Sequence, residues 1–207
     1  LGFQETAVKW QVQLGMLLVA VALVLAMSFY TYSVQPQLMG RPRRELLLVL
    51  LIASFAGAAR LTIPGHTLIP YIFPMAALAM FTTLLLDLNL ALFISGIGAF
   101  IVGYHSGGSI ELVIFTLLGS IVGALALMKM DNLINFAKAI GYIALMNILV
   151  IVAFRLNSST YDLTGLVQLV ISGIGNAVLA ASMTFVGFAV IGRIFGIATS
   201  LQLLELA

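Results

Sequence analysis

The side chains able to do acid–base or ligand chemistry in this sequence are few. Two histidines, His66 and His105, and two carboxylates, Glu111 and Asp162, fall in or beside short polar breaks between apolar runs. Two imidazoles and a carboxylate form a donor set that a divalent ion accepts. No HExxH-like spacing accompanies them, and loop histidines near an interface ordinarily meet water. A serine nucleophile inside a membrane needs a histidine base on a later helix, and no histidine follows His105. The last apolar run has no Schiff-base lysine in its middle, and phosphate-cradling glycine fingerprints are absent. No acidic residue lies midway along an apolar run, which argues against a carboxylate proton relay. Without cysteine, thiolate metal sites and disulfides drop out together. The chain by itself is therefore expected to be no enzyme and to hold neither cofactor nor metal.

What remains is polarity in places where polarity is costly. Asn147 lies in the middle of one apolar run, and Ser172, Asn176, Ala180 and Thr184 recur at intervals of four in the last one. That interval puts them on one helical face. An amide in hydrocarbon needs a partner, so Asn147 and Asn176 should face the interior of a bundle. Together with Ser172, Thr184 and Tyr142 they are the candidate interior contacts, either as hydrogen-bonding glue between helices or as ligand contacts. Small residues at spacing four, Ala53/Gly57, Ser95/Ala99/Gly103 and Gly119/Gly123, suit close helix approach within the bundle, with a dimer seam as the rarer use.

The elements that must position these residues follow from composition. Of 207 residues 62% are hydrophobic and 8% charged, and the mean hydropathy is +1.20, far outside the range of soluble domains. Several uncharged runs approach or exceed the roughly 18–20 residues of a spanning helix. Alternating short strands of a membrane barrel are absent. The expectation is an all-α polytopic membrane protein with seven transmembrane helices at about residues 11–32, 45–61, 67–86, 90–104, 110–128, 133–156 and 163–191. Pro70 and Pro74 predict an irregular or kinked start to the third, because each removes a backbone donor.

Basic residues set the orientation in loops this short. With the N-terminus outside, the cytoplasmic side holds Arg41, Arg43, Arg44, Lys129, Lys138 and Arg193, against Lys9, Arg60 and Arg155 outside. The bias favours N-out and C-in. His66, His105, Glu111 and Asp162 then share the outer side. The last uncharged stretch, Leu163 to Ile191, is long: residues 163–193 as one helix would measure roughly 46 Å at about 1.5 Å per residue. Against a hydrocarbon core of about 30 Å, that helix should tilt, protrude, or break near Gly173 and Gly175, which are the expected hinge.

The chain then runs into an amphipathic tail, and FGIATSLQLLELA resembles the junction of bacterial seven-transmembrane HD proteins, where a similar phrase leads into the cytoplasmic HD hydrolase domain. RRELLLVLLI, IPYIFPMAALAMFTTLLLD and the GGS…LLGSIVGALAL run are similar to that family's membrane helices. One departure is Gly192-Arg193, where the family pattern leads one to expect a proline or an acidic residue. The resemblance implies residues 1–10 as the run-in from an extracytoplasmic domain, 11–193 as the membrane domain, and 194–207 as the connector to an HD domain. Phe195, Thr199, Leu203, Leu204 and Glu205 are its output residues. It further implies a bacterial plasma-membrane setting, a metal-dependent HD phosphodiesterase acting on cyclic-di-AMP, and a divalent metal in that HD domain. The implied partners are the lipid bilayer and those two flanking domains, with a homodimer or other membrane subunits as further candidates and no nucleic acid. Two alternatives stand beside this reading. One is a small-molecule capture or transport component with an outer-half cavity lined by Asn147, Asn176 or Tyr142. The other is a structural small subunit of a larger membrane complex. N-out/C-in topology predicts that a tag fused before Leu1 is reached by antibody on intact cells, while a tag after Ala207 is reached only after permeabilisation. Equal exposure of the two tags would refute it.

Overall fold

The computed structural model describes residues 2–34, 42–129, 134–156 and 162–195. Every regular element among them is a helix: α1 (Gly2–Val34), α2 (Pro42–Thr62), α3 (Ile69–Ile72), α4 (Ala76–Leu85), α5 (Leu88–His105), α6 (Ile110–Ala126), α7 (Ile134–Leu156) and α8 (Leu163–Phe195). Helices α2, α5, α7 and α8 are long and apolar enough to cross a membrane. Shorter apolar stretches lie at Val21–Ser33 in α1, at Ile69–Leu85 and at Ile110–Ala126. With α3 and α4 as one interrupted pass, seven passes fit.

The expected helices recur with physical differences at their ends. The first begins at Gly2 rather than at residue 11, so the polar run-in is itself helical. The second begins at Pro42, where a proline gives up only a donor that the first turn leaves unpaired anyway. The third is interrupted. Phe73 is extended (φ −61°, ψ 118°), because the residue before a proline is pushed out of the helical region. Pro74 also has no N–H to offer the preceding turn.

Turns are set by local chemistry. Asp87 Oδ1 accepts from the N–H groups of Asn89 (2.8 Å) and Leu90 (3.2 Å) and so caps α5. Ser109 Oγ accepts from Leu112 N (3.3 Å) at the start of α6. Asp162 Oδ1 accepts from Gly165 N (3.0 Å) at the start of α8. Each satisfies a donor that the first helical turn leaves over. Between α5 and α6 the chain reverses through Gly107 (φ 72°) and Gly108 (φ 84°), a conformation a Cβ disfavours.

Residues 1–46 and 47–207 form two compact units. In the first, α1 carries exposed Leu18, Val24, Leu25 and Phe29. In the second, α4 packs against α5, α6 and α8, while α6 also meets α5 and α7, and α8 meets α7 and α3. Phe55 of α2 meets Phe81 of α4 edge-on at 6.5 Å, and Phe136 of α7 meets Phe185 of α8 at 5.3 Å.

Lipid tails are as apolar as leucine, so helix contacts here depend on close packing and on polar pairs. Small residues supply the first. A Cβ on Gly123 would stand 3.0 Å from Ile143 Cδ1 and 3.1 Å from Met80 Cγ, and one on Gly98 would stand 3.1 Å from Met75 Cγ. Ser95, Ala99, Gly103, Gly119 and Gly123 are buried, as close helix approach within a bundle requires. Ala53 and Gly57 are not: both are exposed on α2, and a Cβ on Gly57 would meet nothing within 4 Å. Gly123→Val should therefore lower stability by about 1–3 kcal/mol through overpacking, while Gly57→Ala leaves it unchanged or raises it. Thermal unfolding in detergent checks this, and equal effects at the two sites would contradict the packing.

Candidate functional site

Two polar assemblies stand out in the apolar bundle. The first sits in its middle. Asn147 on α7 is 1% exposed, and its Nδ2 donates to the Gly173 carbonyl of α8 at 2.9 Å and to Asn176 Oδ1 at 3.4 Å. Asn176 in turn donates from its Nδ2 to the Phe73 carbonyl at 2.6 Å. Phe73 is the residue extended by Pro74, and its carbonyl also accepts from Met75 N at 2.8 Å, so the amide of α8 takes the second lone pair of a carbonyl at the break. Three separate elements, the α3–α4 break, α7 and α8, are joined through two side chains.

The neighbours of this clamp fit around it. A Cβ on Gly119 would stand 3.0 Å from Asn147 Oδ1, so only a glycine lets α6 pass that close to the amide. Gly173 works likewise: a Cβ there would stand 3.1 Å from Ile151 Cδ1 and 3.3 Å from Asn147 Cβ. Helix α8 runs unbroken through Gly173 and Gly175, so of the three outcomes expected for so long a helix, a break at these glycines is not the one found. Its 33 residues measure about 50 Å at about 1.5 Å each. Ser172 and Thr184 are buried with Asn176 on one face of α8. Their hydroxyls return to their own helix, Ser172 Oγ to Gln168 O (2.8 Å) and Thr184 Oγ1 to Ala180 O (2.7 Å). Tyr142 departs from its expected interior place. It is 52% exposed, because it precedes the buried Ile143 by one residue and thus points about a quarter-turn away from the stripe that holds Ile143 and Asn147.

The second assembly lies at one end of the bundle. The α2–α3 and α5–α6 connections, the end of α7 and the start of α8 enclose a vestibule of about 990 Å³. His66, His105, Glu111 and Asp162 all line it, with Tyr71 and Arg155. Their gathering at one end was legible from topology alone. The residues do not combine into a metal set: among the described residues no three His, Cys, Asp or Glu side chains converge on a point. Instead Arg155 Nη2 of α7 meets Glu111 Oε2 of α6 at 3.7 Å. Tyr71 lies beside both and packs edge-on against Phe115 at 5.4 Å. Glu111 Oε1 is buried and accepts no hydrogen bond. Asn147, Asn176 and Tyr142, the expected lining of an outer cavity, do not line this one. Sequence reasoning missed Tyr71 and the pairing of Arg155 with Glu111. The only signal for Tyr71 was its place between Pro70 and Pro74. Of the expected output residues, Phe195 is the last of α8, while Thr199, Leu203, Leu204 and Glu205 lie outside the described residues.

Residues 10–199 match the family described as 7TM receptor with intracellular HD hydrolase. The chain belongs to that family. Neither a curated protein nor a solved structure matches it. This 7TM receptor domain is thus a multi-pass membrane protein of a family whose members carry an HD hydrolase on the intracellular side. Its asparagine clamp is the feature most open to direct test. Asn176→Leu keeps the volume but removes the amide that donates to the Phe73 carbonyl, and should cost about 1–2 kcal/mol, the scale of a hydrogen bond between helices in lipid. Ser172→Ala removes only a bond within α8 and should be near neutral. Unfolding of the two variants in the same detergent decides it, and equal costs would deny the clamp its role.

Proposed function

We propose that this chain is the transmission domain of its receptor. It takes an input at the vestibule end of the bundle and passes it along α8 to an HD hydrolase that acts on cyclic-di-AMP. The observation that carries the proposal is the continuity of α8. Leu163, Leu166 and Leu169 at its start line the vestibule, Asn176 near its middle holds the break in the third pass, and the same unbroken helix reaches Phe195. A shift at one end of such a rod reaches the other without an intervening joint. Gly173 then acts by letting Ile151 and Asn147 of α7 approach α8 rather than by bending it, while a Cβ on Gly175 would meet nothing within 4 Å.

The placement of basic residues supports an N-out and C-in orientation, which puts the vestibule outside and the end of α8 inside. The chain itself contributes no catalytic group in this reading, and a divalent metal would belong to the HD domain. Residues 194–207 would be the connector, through the output residues already named. A capture or transport component would also use a vestibule, but the residues expected to line its cavity lie elsewhere.

The test uses the full-length gene product in lipid nanodiscs and follows cyclic-di-AMP hydrolysis. Thr67→Trp, at an exposed wall position of the vestibule, should change the hydrolysis rate about fivefold or more, the size of an ordinary coupling between sites. Val178→Trp on an exposed face of α8 should leave it alone. Identical rates in wild type and Thr67→Trp would overturn the transmission role, and absence of hydrolysis in every form would overturn the substrate.

A further inference from the structure

The ion pair in the vestibule is incomplete on both sides. A guanidinium presents five donors and a carboxylate two oxygens, and their favoured contact is a two-pronged one at about 2.7–2.9 Å. Arg155 and Glu111 make a single contact of 3.7 Å, with Arg155 43% exposed and Glu111 16% exposed. Glu111 Oε1 is shielded and accepts nothing, a position that costs stability unless something comes to occupy it. The neighbouring charge does not compensate. Asp162 is engaged in capping α8, and His105 and His66 each turn one ring nitrogen, Nδ1, back to a local carbonyl, Ile101 O at 2.8 Å and Pro64 O at 3.1 Å. The Tyr71 hydroxyl also hydrogen-bonds toward Glu111 and Arg155, so what is left over is the shielded Oε1 of Glu111 beside the exposed donors of Arg155.

We infer that the vestibule binds a small zwitterion, a molecule with an ammonium and a carboxylate such as a free amino acid or short peptide, with Glu111 receiving the ammonium and Arg155 the carboxylate. The inference rests on the vestibule being the input site proposed above and names the class of molecule it takes. A ligand of this kind replaces a loose contact between α6 and α7 with two charge-assisted ones, and its body lies over Tyr71 of α3. A pure cation would leave Arg155 without a partner, and a pure anion would leave Glu111 so. Either would break the existing pair without completing both halves. The volume of about 990 Å³ lies at the upper end of ordinary ligand pockets, so a dipeptide fits it better than glycine does.

The experiment measures binding to the full-length protein in nanodiscs by calorimetry, with Ala-Ala as probe. Saturable binding is expected, weakened about tenfold or more by Glu111→Gln and by Arg155→Gln, as when one member of a shielded charge pair is lost. Because either variant can fold poorly, the wild-type protein is also titrated with N-acetyl-Ala-Ala-amide, which has neither charge, and with methylammonium and acetate separately. None of the three should bind measurably where Ala-Ala does. Binding of the capped dipeptide as strong as that of Ala-Ala overturns the inference, as does no binding of Ala-Ala. Ala-Ala that binds but leaves cyclic-di-AMP hydrolysis unmoved supports the site and counts against the transmission role. A hydrolysis rate that answers to Thr67→Trp in a protein blind to Ala-Ala counts against the ligand class alone.

Discussion

An amide side chain inside a membrane has no water to turn to, and the architecture of this bundle depends on how two such amides are answered. Pro74 forces Phe73 out of the helix, and the Phe73 carbonyl, which accepts from Met75 N at 2.8 Å, keeps a second lone pair for another donor. The Nδ2 of Asn176, 103 residues further along the chain, meets that carbonyl at 2.6 Å. Asn176 could not stand there alone, since its own Oδ1 also needs a donor; Asn147 supplies it while reaching the Gly173 carbonyl. The break in the third pass is thereby turned into an attachment point.

The same constraint explains where the small residues sit. An amide that must reach across to another backbone requires the helices to come closer than leucines allow. Gly119 and Gly173 stand at the two sides of Asn147 where a Cβ would crowd it or its neighbours. Gly57 on α2, far from any such requirement, faces open space. Spacing of four marks helix faces that can approach closely, but the polar contact decides which of them do.

How much of this the sequence discloses depends on the range of the interaction. Spans, turns and caps are local: apolar run length, Asp87, Ser109 and Asp162 at helix starts, and Gly107-Gly108 in a reversal all act within a few residues. The inward orientation of Asn147 and Asn176 is also legible, because the cost of exposing an amide to lipid leaves one outcome. The partners are not. Nothing in the local pattern around Asn176 names Phe73, although Pro70 and Pro74 announce that some backbone will go unpaired. Tyr142 shows the opposite error. Its amphipathic ring suggests an interior polar role, yet Ile143, Asn147 and Ile151 are buried at intervals of four, and a residue one step off that register points outward. The continuity of α8 through Gly173 and Gly175 is likewise outside the local pattern, since two glycines by themselves weaken a helix and the neighbours packed against Gly173 are distant in sequence.

The two polar assemblies differ in a way that bears on the proposed transmission role. The clamp in the middle holds one arrangement: its donors are used, and Asn147 Oδ1 is the one acceptor of the pair left over. The vestibule pair at the end is loose, partly exposed and shared between α6 and α7. A ligand shifts a conformational balance only by its difference in affinity for two packings, so the site of leverage must be one whose contacts are not already optimal. The loose pair fits that condition and the clamp does not. Conversely, a relay needs a rigid member, and α8 is most firmly held where Asn176 and Gly173 join it to the third pass and to α7. In the transmission reading proposed above, a yielding contact at one end and a fixed one partway along would make α8 a lever, with displacements among Leu163–Leu169 turning about the clamp.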